Sequence, residues 1–172
     1  MNNQEKYKYA FSLTSVASSG LFFIEDYLLG IDNTTDISRL RSFYILLSYN
    51  FELLLKSRIV MVESFIDKQA MNNCLVKLGH NIQTIVAALG NPALTEIGIA
   101  KVENGLGQYK ITTTDNKEVL IENFTMIRYD FLDNIMRIVD FKEHERIKEY
   151  LEVLFGILKK VKEKNEIENH NI

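Results

Sequence analysis

At 172 residues the chain is the size of one ordinary domain, and 47% hydrophobic residues are enough to close a core. Its 20 Lys and Arg against 23 Asp and Glu leave a net charge of −3, which excludes a protein that coats nucleic acid through bulk positive charge, so any RNA site has to be local. The single cysteine, Cys74, excludes an internal disulfide, and the composition carries no extracellular signature, so a reducing, cytoplasmic setting is expected.

Lys6 and Lys8 ahead of the stretch from Ala10 to Ile24 give the start of the chain some look of a secretory signal. Its periodicity argues for a bundle helix instead. Tyr7, Phe11, Thr14, Ala17, Leu21, Ile24 and Leu28 recur at three- and four-residue steps, while Ser12, Ser15, Ser18, Ser19 and Glu25 fall on other faces. A helix from about Glu5 to Leu29 is predicted, stopped by Gly30 and the polar connector Asp32-Asn33-Thr34-Thr35. No apolar run approaches the roughly 18 residues of a membrane span, so no membrane contact is expected.

Asp36 or Ser38 can cap a second helix that carries Phe43, Leu46, Leu47, Asn50, Leu54, Ser57 and Met61 and ends near Phe65 to Lys68. It is apolar on nearly every face. Exposing Ile45, Leu53 and Val60 together would leave a large sticky patch, so this helix is expected either at the centre of a bundle or in a dimer interface. A homodimer built through the second and last helices is the expectation.

Between Gly79 and Gly107 lie five of the eight glycines and the only proline, which predicts broken structure. Ile82, Ile85, Val86 and Leu89 have helical spacing with Gly90 as a stop, and Pro92 suits the first turn of a short helix through about Lys101. From Tyr109 to Ile121 the period changes to two, with a turn at Asp115-Asn116, which predicts a β-hairpin over about 108–122 packing Tyr109, Ile111 and Ile121 on the bundle.

The last helix is predicted from about Asp140, with Glu143 completing a capping box, to about Lys164. Ile147, Tyr150, Leu151, Leu154, Phe155, Leu158 and Val161 form its apolar stripe, opposed by a solvated face that includes Lys159, Lys160 and Lys162. Gly156 suggests a close helix crossing, and residues 165–172 read as a frayed tail. Residues 1–172 thus form a single, mainly α domain.

Three stretches carry most of the functional information. Glu52 and Lys56, within Phe51-Glu52-Leu53-Leu54-Leu55-Lys56, are four apart on one helix face; Lys77-Leu78-Gly79-His80-Asn81-Ile82 and Ile127-Arg128-Tyr129-Asp130 follow in order. A Glu–Arg contact organised around His80 would be a structural polar cluster. Alternatively, Arg128, Tyr129, His80 and Asn81 line a cleft, Arg128 forking to phosphate and Tyr129 stacking on a base. Both readings stand on the residues alone.

In order and spacing these stretches resemble the HEPN family, small helical domains that pair around an RNA- or nucleotide-binding cleft. The Gly-His-Asn run resembles the family's Gly-His-Asp-Leu, with Asn81 in place of Asp, and Arg128-Tyr129 resembles its Arg-Tyr-Pro, with Asp130 in place of Pro. The likeness spans about residues 40–160. It implies a HEPN-like up-and-down helical bundle with a β-hairpin insertion, and an RNA- or nucleotide-associated role in defence, toxin–antitoxin or stress response, with an antitoxin or other protein as a further partner.

RNase members of that family carry Arg followed after four to six residues by His. The spacing match here is Arg137 with His144, although Ile138 puts an apolar residue where a polar one is usual. Such a pair would work as a metal-independent endoribonuclease, with neutral His144 taking a proton from a ribose 2′-OH while Arg137 stabilises charge on the phosphate. A catalytically silent binding module and a plain helical adaptor are the rival readings.

No metal site or cofactor is expected. His80, His144 and His170 lack zinc-ligand spacing, Gly105-Leu106-Gly107 lacks the rest of a phosphate loop, and no serine-hydrolase elbow occurs.

Overall fold

The computed structural model describes residues 1–29, 37–105, 108–122 and 142–170. Helix α1 (Asn3–Leu29) opens on a reciprocal cap. The Asn2 side chain accepts from the Glu5 amide at 2.8 Å, and the Glu5 carboxylate accepts from the Asn2 amide at 3.0 Å, which satisfies two amides the helix cannot. Helix α2 (Ile37–Val62) runs antiparallel to it, because Lys6 near the start of α1 donates to the carbonyls of Met61 and Glu63 at the end of α2.

The sequence-predicted apolar character of α2 has a simple cause. From Asn50 to Met61 every side chain is buried among the chain's own elements. Leu47, Phe51, Leu54 and Leu55 each gain about 2 kcal/mol from that burial. Of the two settings expected for α2, a place at the centre of the bundle is what this half of the helix has.

Helix α3 (Lys68–Leu78) has no counterpart among the predicted elements. Met71 is its one buried residue, and Leu75 and Leu78, half-buried on the same face, complete a stripe of three; Asp67 caps it by accepting from the Ala70 amide at 2.8 Å. Helix α4 (Ile82–Glu96) is broken at Gly90, whose φ of 75° and ψ of 159° end one helical piece before Pro92 opens the next. That stop and restart is as the sequence predicts.

The second piece ends at Glu96 rather than near Lys101, and the chain enters a strand instead. Strands β1 (Ile99–Asn104), β2 (Gln108–Thr113) and β3 (Glu118–Glu122) form an antiparallel sheet in the order β1-β2-β3. Tyr109 stands opposite Ile121, and Ile111 opposite Val119 on one side and Val102 on the other. The expected hairpin is therefore two-thirds of a three-stranded sheet, β1 having too little alternation to be read as a strand. Tyr109, Ile111 and Ile121 are buried on the bundle, as expected.

Helix α5 (Lys142–His170) packs antiparallel to α1, with Phe22 and Phe155 rings 5.1 Å apart and the Asn3 amide side chain donating to the Glu168 carbonyl at 3.0 Å. Two expectations about this helix are corrected. Residues from Asn165 do not fray but stay helical to His170, because Asn165 is buried and Glu168 is ion-paired. Gly156 makes no close crossing, since a Cβ there would meet nothing within 4 Å. The close approach is at Gly20 of α1, where a Cβ would come within 2.5 Å of the Asn50 side chain of α2.

The described residues are thus mainly helical with a small antiparallel sheet. One core unites α1, α2, α4, α5 and the sheet, and a smaller cluster of Ala10, Val60, Met61 and Met71 attaches α3.

Candidate functional site

The central position of α2 buries both members of its Glu52–Lys56 pair, which meet at 2.7 Å with side chains 3% and 11% exposed. Burying a charge is costly unless it is paired and hydrogen-bonded. Lys56 therefore makes a second bond, donating to the Gly79 carbonyl at 2.7 Å. Gly79 ends α3 with φ 60° and ψ −142°, a conformation that L side chains rarely adopt, and this turn aims its carbonyl at Lys56.

The next residue, His80, reaches back to the same carboxylate. Its Nδ1 lies 3.0 and 3.1 Å from the two Glu52 oxygens. A carboxylate only accepts, so Nδ1 carries the hydrogen and the ring orientation is fixed. The His80 side chain is 58% exposed, which makes it the part of the cluster that meets solvent. Asn81 then caps α4, its side-chain oxygen accepting from the Gln83 amide at 2.9 Å and the Thr84 amide at 3.3 Å.

The Gly-His-Asn stretch is thus the α3–α4 junction, with three residues in three roles: a turn, a contact and a cap. Glu52, Lys56 and His80 come together as expected, while the Asn81 side chain is occupied by the helix end. Arg128, Tyr129 and Arg137 lie outside the described residues. His144 falls in the first turn of α5, and its side chain is likewise outside the description.

A second polar cluster escaped sequence reasoning. Arg58, with a fully buried side chain, donates to Glu168 through both terminal nitrogens at 3.1 and 2.7 Å, to Asn165 at 2.8 Å and to Glu96 at 3.3 Å. Asn165 in turn donates to Ser57, and Ser57 to the Ala10 carbonyl. Four helices are locked by this network. Its signal in the sequence is a permanent cation set between Leu53-Leu54-Leu55 and Ile59-Val60-Met61 with no acid within four residues, which demands a buried acceptor from elsewhere in the chain. Lys6 sits nearby, its ammonium held below the ordinary lysine range by burial.

Among the described residues no group of three or more His, Cys, Asp or Glu side chains is placed to hold a metal ion. No described helix is long and apolar enough to cross a membrane. Comparison with protein-family models, curated proteins and solved structures finds no match to the chain.

Proposed function

We propose that the chain is a HEPN-like helical module with an RNA- or nucleotide-associated role, of the kind used in defence, toxin–antitoxin or stress responses, and that it binds its ligand at the α3–α4 junction. The observation that carries this reading is the Glu52–His80 contact: a buried carboxylate orients a histidine whose ring faces solvent. A ring so fixed can stack on a base or, when protonated, bond a phosphate without first losing side-chain freedom. Lys56 is spent on Glu52 and Gly79, so the cation that grips phosphate has to come from elsewhere, and Arg128 with Tyr129 beside it fills that role.

The rival reading is a purely structural cluster in a helical adaptor. It is favoured by the pairing of Glu52 with Lys56, which needs no ligand to be complete. Cleavage through Arg137 and His144 is a further step within the proposal.

Thermal unfolding with nucleoside monophosphates and with short single-stranded RNA separates the readings, because a ligand of the native state raises the melting temperature. The binding module gains stability with one of these, and His80→Ala loses the gain while keeping its own fold. A chain that gains nothing from any of them, or a His80→Ala variant that gains as much as the parent, contradicts the proposal. Incubation of a generic RNA without added metal, compared between parent and His144→Ala, reads out cleavage.

A further inference from the structure

Exposure falls steeply along the cluster at the α3–α4 junction. The His80 side chain is more than half exposed, Glu52 is nearly buried, and Ser48, one turn before Glu52 on the same face of α2, is 1% exposed. In a helix a long side chain points back toward the preceding turn, which for Glu52 is the turn that carries Ser48. Ser48 therefore stands at the inner end of the cluster, and His80 at the outer end.

A serine or threonine hydroxyl inside a helix ordinarily donates to the carbonyl four residues back. Ser12 and Thr14 of α1 do so at 3.0 and 3.1 Å, and the buried Ser57 donates to the Ala10 carbonyl of the neighbouring helix at 3.0 Å. The Ser48 hydroxyl has no partner among the described residues. That is costly, because a buried polar group without a partner has lost its bonds to water and gained none. Across the junction, the side-chain nitrogen of Gln83, in the first turn of α4 three residues after His80, is likewise buried and without a partner. Two unanswered donors thus flank the Glu52–His80 contact, one on α2 and one on α4.

The surroundings select what can answer them. A phosphate at Ser48 would bring a second anion beside Glu52, whose own charge already takes up Lys56 and His80, and burial penalises any further charge. The group that pairs with Ser48 is therefore uncharged. A nucleobase edge carries ring-nitrogen and carbonyl acceptors but no charge, and its face can stack on the His80 ring.

We propose that the ligand of the α3–α4 junction enters base first, acceptors on its base edge taking the Ser48 hydroxyl and the Gln83 side-chain amide, while its phosphate stays on the solvent side of His80. The inference rests on the reading of that junction as a nucleotide site.

Calorimetric titration of the full chain with nucleoside monophosphates, the corresponding nucleosides, short single-stranded RNA and ribose 5-phosphate tests it, beside thermal melts of the free variants. Ser48→Ala is expected to raise the melting temperature of the free chain and yet to weaken nucleotide binding at least about fivefold, because the lost hydroxyl is unpaired without ligand and paired with it. Gln83→Leu should weaken binding in the same way. Nucleosides should share the loss, and ribose 5-phosphate, which has no base, should not distinguish parent from variant. A parent that binds nucleotides while Ser48→Ala binds them as tightly overturns this proposal and leaves the reading of the junction standing. So does a loss that ribose 5-phosphate shares, which would put the phosphate at Ser48, or a free Ser48→Ala chain less stable than the parent, which would mean a hydroxyl already paired. A parent that binds none of these ligands contradicts the reading of the junction, and the inference with it.

Discussion

Glu52 and His80, separated by 28 residues, meet with imidazole Nδ1 3.0 Å from a carboxylate that is only 3% exposed. A buried acid thus holds a solvent-facing base, and Lys56 neutralises the acid from the inner side. The same three side chains serve packing and, in the proposed function, recognition. Separate measurements read the two roles.

Removing the acid alone tests the packing role. Glu52→Ala leaves a nearly buried ammonium with only the Gly79 carbonyl, and the expected loss is about 3 kcal/mol in urea unfolding. The double change Glu52→Leu with Lys56→Met is expected to recover most of that loss, because an apolar pair of similar volume avoids desolvation altogether. A single variant as stable as the parent would contradict the buried-pair geometry.

Arg58 and the end of α5 are expected to act as a unit. Arg58→Ala strands Glu168, Asn165 and Glu96, at an expected cost of about 3–5 kcal/mol. Truncation after Lys164 removes two of these partners, Asn165 and Glu168, so the combined variant should lose much less than the two separate losses together. Equilibrium unfolding of the three variants measures the coupling.

Two glycines on long helices should respond in opposite directions to alanine. Gly156→Ala enters open space and is expected to stabilise by about 0.5–1 kcal/mol. Gly20→Ala drives a methyl group into the buried Asn50 side chain and is expected to destabilise by about 1–3 kcal/mol. Thermal melts of both are sufficient.

Tyr150 is fully buried, and its hydroxyl has no hydrogen-bond partner among the described residues. Burial raises its phenol well above the ordinary value of 10.0. The unfolded chain therefore releases this proton near pH 10 while the folded chain keeps it, so the contribution is intact below pH 10 and lost as pH rises above it. Tyr150→Phe is expected to lack that alkaline loss. At neutral pH it should be about 1 kcal/mol more stable, because no buried hydroxyl is left unpaired. Denaturant unfolding at pH 7 and above pH 10 checks both points.

The parts of this architecture legible in the sequence are those with a period or a punctuating residue. Helix α1, the break at Gly90 before Pro92 and the burial of Tyr109, Ile111 and Ile121 were all readable that way. Helix α3 was not, since its stripe of Met71, Leu75 and Leu78 is short and follows directly on the longer apolar run of α2. Strand β1 was missed because a bulge between Ile99 and Lys101 sets its inward residues, Ile99 and Val102, three apart and breaks the alternation. At the site, the i,i+4 spacing marked Glu52 and Lys56, and the resemblance of the Gly79-His80-Asn81 run to a family motif marked His80. Arg58 and Glu168, 110 residues apart, are joined only by folding, and the tail looked frayed because the buried partner of its acid was invisible.

The most direct test of the central claim follows the imidazole signals of His80 and His170 by NMR while short single-stranded RNA or a nucleoside monophosphate is titrated in. The account predicts that the His80 ring resonances move saturably while those of His170 stay in place. Saturable binding with His80 unmoved, or no binding by any of these ligands, would contradict it.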